Sequence, residues 1–172
     1  MKKESVRSMV VPNGELFADV TRLLEAGHRV TINCKGVSML PVIRGGRDQV
    51  VLEKKGEYGA GDIVLFSIGD RYILHRIVST DGRVAVTRGD GNFRGTEACR
   101  VQDIHGKAVE ILRAGRRRKD PDSFCAKAFL KVWDFLLPVR RWILAVYRRL
   151  PWNRWIIEAN KDVKKGRKQL KI

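Results

Sequence analysis

The sequence predicts a mainly β domain, preceded by one helix and followed by a basic helical appendage. Three observations lead to this. Between residues 29 and 113, short runs rich in Val, Ile and Thr alternate with Gly/Asp turns, a spacing that suits strands. Beyond Pro121 the apolar period lengthens to that of a helix. Charge divides at about the same place: residues 113–172 hold 18 Lys+Arg and 5 Asp+Glu, out of 35 and 19 in the chain.

Pro12 and Asn13 open the first helix. Asn13 is a capping residue, and Leu16, Phe17, Val20, Leu23 and Leu24 recur at helical spacing. Gly27 closes it. Residues 29–33 read as a strand with Val30 and Ile32 on one face, and residues 36–43 as a turn or a short helix start. Strands follow at 49–53, 62–68, 72–79 and 83–87. Residues 67–71 and 80–82 are hairpin connections, with Asp81-Gly82 the clearest signal. Residues 103–113 read as the closing strand. The expected layout is therefore an N-terminal helical segment over 1–28, a β domain over 29–113, a charged linker over 114–121 and a helical tail over 122–172.

In the tail, Asp122 or Ser123 caps a helix to about Leu137. Lys127, Lys131 and Asp134 share one sector; Phe124, Phe129, Leu130, Val132, Trp133, Leu136 and Leu137 fill the rest. Pro138 breaks it. The next helix puts Val139, Trp142, Ile143, Val146 and Leu150 on one face, and Arg140, Arg141, Arg148 and Arg149 on the other. The lysine-rich end, 161–172, should fray.

Several classes are disfavoured. Met1-Lys2-Lys3 is not followed by an apolar stretch of secretory-signal length. The longest run without a charge is residues 36–43, far short of the ~20 residues that span a bilayer. Cys34, Cys99 and Cys125 are too widely spaced for a disulfide framework or zinc site, and read as reduced thiols in a cytosolic-facing protein. No metal or cofactor is expected. His28 and His105 read as loop or surface residues.

Chemistry concentrates in Gly36-Val37-Ser38-Met39-Leu40-Pro41, Leu74-His75-Arg76-Ile77-Val78 and Arg88-Gly89-Asp90-Gly91-Asn92. A serine hydroxyl needs a base within reach and donors for the oxyanion it creates. Gly36 leaves the backbone free to approach a substrate, Pro41 stiffens the exit, and the Ser38 N–H is the first oxyanion donor. Met39 either lines the cleft or fills the core. His75, in a strand, would take the Ser38 proton, while an acid such as Asp90 holds its other ring nitrogen.

The first of these strings resembles the nucleophile box of type I signal peptidases, whose relatives include the self-cleaving LexA-like repressors. Gly61-Asp62-Ile63-Val64-Leu65-Phe66, His75-Arg76-Ile77-Val78 and Arg88-Gly89-Asp90-Gly91-Asn92 resemble the boxes that follow. His75 stands where the bacterial branch has lysine, so the chain is most similar to the archaeal and endoplasmic-reticulum branch, which uses a Ser–His pair with an acid. The resemblance covers residues 35–106. It implies a coiled, mostly antiparallel β fold and cleavage after small residues. Asp90 matches the box's leading acid, and Glu97 stands about where relatives carry a supporting one. In two respects the chain departs from the family: a helix at 13–26 replaces the spanning helix, and Gly36 replaces a serine donor found in some relatives.

The expectation is a serine endopeptidase that processes a precursor protein or peptide at its leader, using Ser38, His75 and Asp90 or Glu97. One alternative is a catalytically silent membrane-associated protein of the same fold. Another is a LexA-like regulator, for which the roughly 28 residues before the first strand are too few to form a DNA-binding module. Trp133, Trp142, Trp152 and Trp155, bordered by Arg140, Arg141, Arg148 and Arg149, fit an interfacial helix on anionic lipid. That places the protein peripherally at the cytoplasmic face of a membrane. The rival is a helical hairpin packing its apolar face on the β domain. Nucleic acid ranks last, because phosphate binding needs no tryptophans.

Overall fold

The computed structural model describes residues 13–92, 95–113 and 117–149. The expectations for Trp152, Trp155, the lysine-rich end and the Arg148 side chain lie outside the described residues.

The molecule is mainly β. Its antiparallel strands are β1 (Val30–Asn33), β2 (Asp48–Glu53), β3 (Ile63–Ile68), β4 (Arg71–Thr80), β5 (Val84–Arg88), β6 (Glu97–Arg100), β7 (Ile104–Arg113) and β8 (Arg117–Lys119). They lie in the order β1-β2-β7-β3-β4-β5-β6, with β8 also on β7. Bulges at Val51/Leu52, Leu65/Phe66 and Ile77/Ser79 interrupt the ladders and increase local twist.

Three expectations change here. β7 is not a closing strand but sits in the middle, pairing with β2, β3 and β8. β6 was not expected: Glu-Ala-Cys-Arg has no β-branched residue, and pairing with β5 makes it a strand. Residues 117–119, expected as linker, are β8.

Helix α1 (Asn13–Glu25) buries Val20 and Leu24 in a core with Ile43, Val50, Leu52 and Leu65. A Cβ at Gly106 would lie 3.2 Å from a Leu24 methyl, so the bare backbone of β7 lets α1 sit close. Gly27, at φ +82°, lets the amides of residues 27 and 28 turn back to Leu24 and Leu23. A second core joins Val64, Phe66, Ile77 and Ile104.

Ser123 Oγ caps α2 (Phe124–Phe135) by accepting from the Ala126 N–H at 3.3 Å. Just before it, Asp122 takes an ion pair from Lys107 of β7 at 2.8 Å, and Lys107 also reaches Asp62 at 2.7 Å. Burial disfavours the Lys107 charge, but the two carboxylates outweigh it and raise its pKa above the ordinary value. Residues 136–139 lead around Pro138 into α3 (Arg140–Arg149).

The helix faces correct the sequence expectation. Trp133 and Leu144 are buried with Leu40, so Trp133 is not a membrane contact. Arg140 is 1% exposed, lies over the Trp133 ring at 4.9 Å and donates to the Trp133 carbonyl at 2.6 Å. It too is withdrawn from any surface. Val139, Trp142, Ile143 and Val146, expected first as an interfacial face and in the rival reading as packed on the β domain, are exposed. Among the described residues no helix is long and apolar enough to cross a membrane.

Candidate active site

The Ser38 loop is built outward from Asp48. This carboxylate is 1% exposed at the start of β2. It accepts from the Arg44 N–H at 3.0 Å and from Arg47 Nε and Nη2 at 2.7 and 3.0 Å. Burial works against its charge, yet the Arg47 and Arg44 bonds, with the Arg47 and Arg113 charges, hold its pKa below the ordinary aspartate value. The Cys34 carbonyl accepts from the Gly46 N–H at 2.8 Å and closes the loop's base. Gly36 turns the chain at φ +82°, and a Cβ on Gly45 would strike the Gly36 carbonyl. The Leu40–Pro41 peptide bond is cis.

A second loop, 89–92, presses on the first. The Gly91 N–H donates to the Ser38 carbonyl at 2.7 Å, and the Asn92 N–H to the Gly89 carbonyl at 2.9 Å. A Cβ on Gly91 would lie 2.6 Å from the Val37 carbonyl. A Cβ on Gly89 would strike the Ser38 carbonyl, sit 2.9 Å from His75 Nε2 and 3.0 Å from Asn92 Nδ2. The Ser38 carbonyl, His75 Nε2 and Asn92 Nδ2 therefore all approach residue 89, where only glycine fits.

Strand register selects the acid. Ile77 of β4 lies opposite Thr87 of β5, and Thr87 opposite Glu97 of β6. Since successive side chains alternate faces, His75, Ile77, Thr87 and Glu97 share one face and Arg76 points to the other. His75 Nδ1 lies 2.9 Å from Glu97 Oε2, with the imidazole 5% exposed. Arg76 donates to both Asp90 oxygens, at 2.9 and 2.8 Å, and to the Gly61 carbonyl at 2.6 Å. Of the two acids expected at His75, Glu97 makes the contact; the Asp90 carboxylate is taken by Arg76.

Donation from Nδ1 to Glu97 leaves Nε2 as an acceptor facing the Ser38 loop. Among the described residues no hydrogen bond joins Ser38 Oγ to His75, and the Ser38 N–H has no protein acceptor. Met39, expected in the cleft or in the core, is core. A cavity of about 480 Å³ between Pro41–Val42, β7 and α2 meets this constellation only at Pro41 and Arg76. Among the described residues no cluster of His, Cys, Asp or Glu could hold a metal ion.

Sequence reasoning passed over three residues. Asp48 is an unremarkable acid between turn and strand until its burial is seen. Asn92 lies in the quoted Arg88–Asn92 string, yet its amide had no assigned role. His105, read as a surface residue, makes a Ser–His contact of its own, Nε2 to Ser67 Oγ at 3.0 Å. Burial, then the Lys54 charge, lower the His105 pKa against the smaller pull of Glu25 and Asp103. No acid is hydrogen-bonded to its Nδ1 among the described residues.

No family model matches the chain, and no curated protein matches it at a significant level.

Proposed function

We propose that the chain is a serine endopeptidase of the signal-peptidase type, with Ser38 as nucleophile, His75 as base and Glu97 as orienting acid. The observation that carries this reading is the His75 Nδ1–Glu97 contact of 2.9 Å, with Gly89 set between His75 Nε2 and the Ser38 carbonyl. Ser38 Oγ attacks the scissile carbonyl carbon while His75 Nε2 takes its proton. The Ser38 N–H stabilises the oxyanion. His75 then protonates the leaving amine, and an acyl-enzyme remains on Ser38. Water, deprotonated by His75, releases the new carboxylate and restores the serine. The signal-peptidase-like coiled fold belongs to the same proposal; a bulged antiparallel sheet with loops 36–43 and 89–92 side by side supports it.

A fluorophosphonate that acylates activated serines, followed by peptide mapping, tests the reading without a known substrate. Label on Ser38 that Ser38→Ala abolishes supports it; label on Ser67 would move the activity to the other Ser–His contact. The absence of a Ser38 Oγ–His75 bond favours a second reading, a catalytically silent protein of this fold. It predicts no label on a folded chain. Comparing N-termini in host cells carrying wild type or Ser38→Ala would then name the precursors, as termini following small residues that vanish in the variant.

A further inference from the structure

The helices α2 and α3 are amphipathic, and both of their sides carry apolar side chains. Their inward side is already occupied: Trp133 and Leu144 pack on Leu40, and Arg140 is enclosed against Trp133. Their outward side is apolar. Phe124 is 86% exposed, Phe135 84% and Trp142 62%, and Val132, Val139 and Val146 are exposed beside them. A water-facing pair of helices would bury the valines and expose the arginine. Here the arginine is inside, and the outward side chains are aromatic and aliphatic ones of the kind that mark an interaction face.

Charge decides the partner. Lys131, Arg141 and Arg149 are exposed on these helices, and residues 124–149 hold one acid, Asp134. A second copy of this face would set cations against cations, and so would residues 150–172, with seven Lys+Arg and two Asp+Glu. An anionic lipid surface complements both properties. It receives aromatic and aliphatic side chains at the acyl boundary and basic ones among the headgroups. Arg141, exposed, lies over the Trp142 ring at 4.5 Å, pairing headgroup charge with interfacial aromatic.

We propose that the outward face of α2 and α3 docks on an anionic membrane surface, with Phe124, Phe135, Val139, Trp142 and Val146 at the acyl boundary and Lys131, Arg141 and Arg149 on the headgroups. The docked helices carry the active-site loops with them. Trp133 Nε1, on the inward side of α2, donates to the Asp90 carbonyl at 2.8 Å, one residue from the amide that holds Ser38. The face does not depend on the peptidase reading and is tested without activity.

The test is co-sedimentation of the full chain with phosphatidylcholine vesicles, with and without phosphatidylglycerol. Wild type should bind the anionic vesicles at least about tenfold more tightly. Phe135→Ser/Trp142→Ser and, separately, Arg141→Glu/Arg149→Glu should each lose roughly tenfold or more in affinity. All four residues are exposed, so the thermal midpoint should stay at the wild-type value and separate lost docking from lost folding. No binding by wild type would overturn the proposal. So would binding that both double variants retain, which would place the contact elsewhere in the chain. A wild-type dimer that Phe135→Ser/Trp142→Ser converts to monomer, without lipid binding, would show the face covered by a second copy.

Discussion

Gly89 stands at the closest approach of the two candidate catalytic loops. Gly89→Ala would drive a methyl into the Ser38 carbonyl and against His75 Nε2. Fluorophosphonate labelling of Ser38 should slow by roughly a hundredfold, the effect of an ångström-scale misplacement. The two acids should separate cleanly. Glu97→Gln removes the acceptor at Nδ1 and should slow labelling by a hundredfold or so, with a small change in thermal midpoint. Asp90→Asn leaves Arg76, enclosed in the sheet, without its charge partner and should cost about 3 kcal/mol of stability, read by denaturant titration. If Asp90→Asn slows labelling at full stability while Glu97→Gln does not, the roles are reversed. Ser38 and His75 were legible in the sequence as members of short strings. The choice between Asp90 and Glu97 was not, since it depends on the parity of two strand pairings across 22 residues of chain.

At the scale of elements, α2 is a strut for the site. Trp133 joins it to loop 89–92, and Lys107 ties its start to the sheet through Asp122. Trp133→Phe keeps the ring against Leu40 but leaves the Asp90 carbonyl without its donor. It should cost about 1–3 kcal/mol of stability. The maximal labelling rate should drop while half-saturation by the probe holds, a split that mere loss of folded protein would not produce. Helix α2 was legible to within two residues at its end, because a serine cap, apolar periodicity and Pro138 are all local signals. Its buried face was not. In α3 the helical wheel divides apolar from basic residues, but Trp133 of α2, itself packed on the distant Leu40, determines that Arg140 turns inward. β6 was illegible for a related reason: its four residues have no strand preference until β5 pairs with them.

For the molecule as a whole, the buried thiols give a pH signature. Burial, with the Asp48 charge, pushes Cys34 up to about 12, and burial, with Asp103, pushes Cys99 up to about 11. The folded state therefore holds these protons more tightly than the unfolded chain. This contribution is fully present below the ordinary thiol pKa of 9.0 and is lost progressively up to the folded values. Thermal midpoints should decline from about pH 9 upward, and Cys34→Ala/Cys99→Ala should flatten the decline. In the native protein a thiol reagent should titrate only Cys125, the exposed cysteine; all three should react after denaturation.

From the sequence alone came the mainly β class, the first helix with its Gly27 stop, the extents of six of the eight strands nearly to the residue, and Ser38 and His75 as the candidate pair. Alternation, turn residues and caps act between near neighbours, so they are written in short stretches of chain. Tertiary structure alone decided that β7 lies in the middle of the sheet, that Asp48 anchors the Ser38 loop, that Glu97 meets His75, and that the helical tail turns Trp133 and Arg140 inward and Val132, Val139 and Val146 outward. Each depends on which distant strand or helix supplies the partner, and no local pattern carries that information.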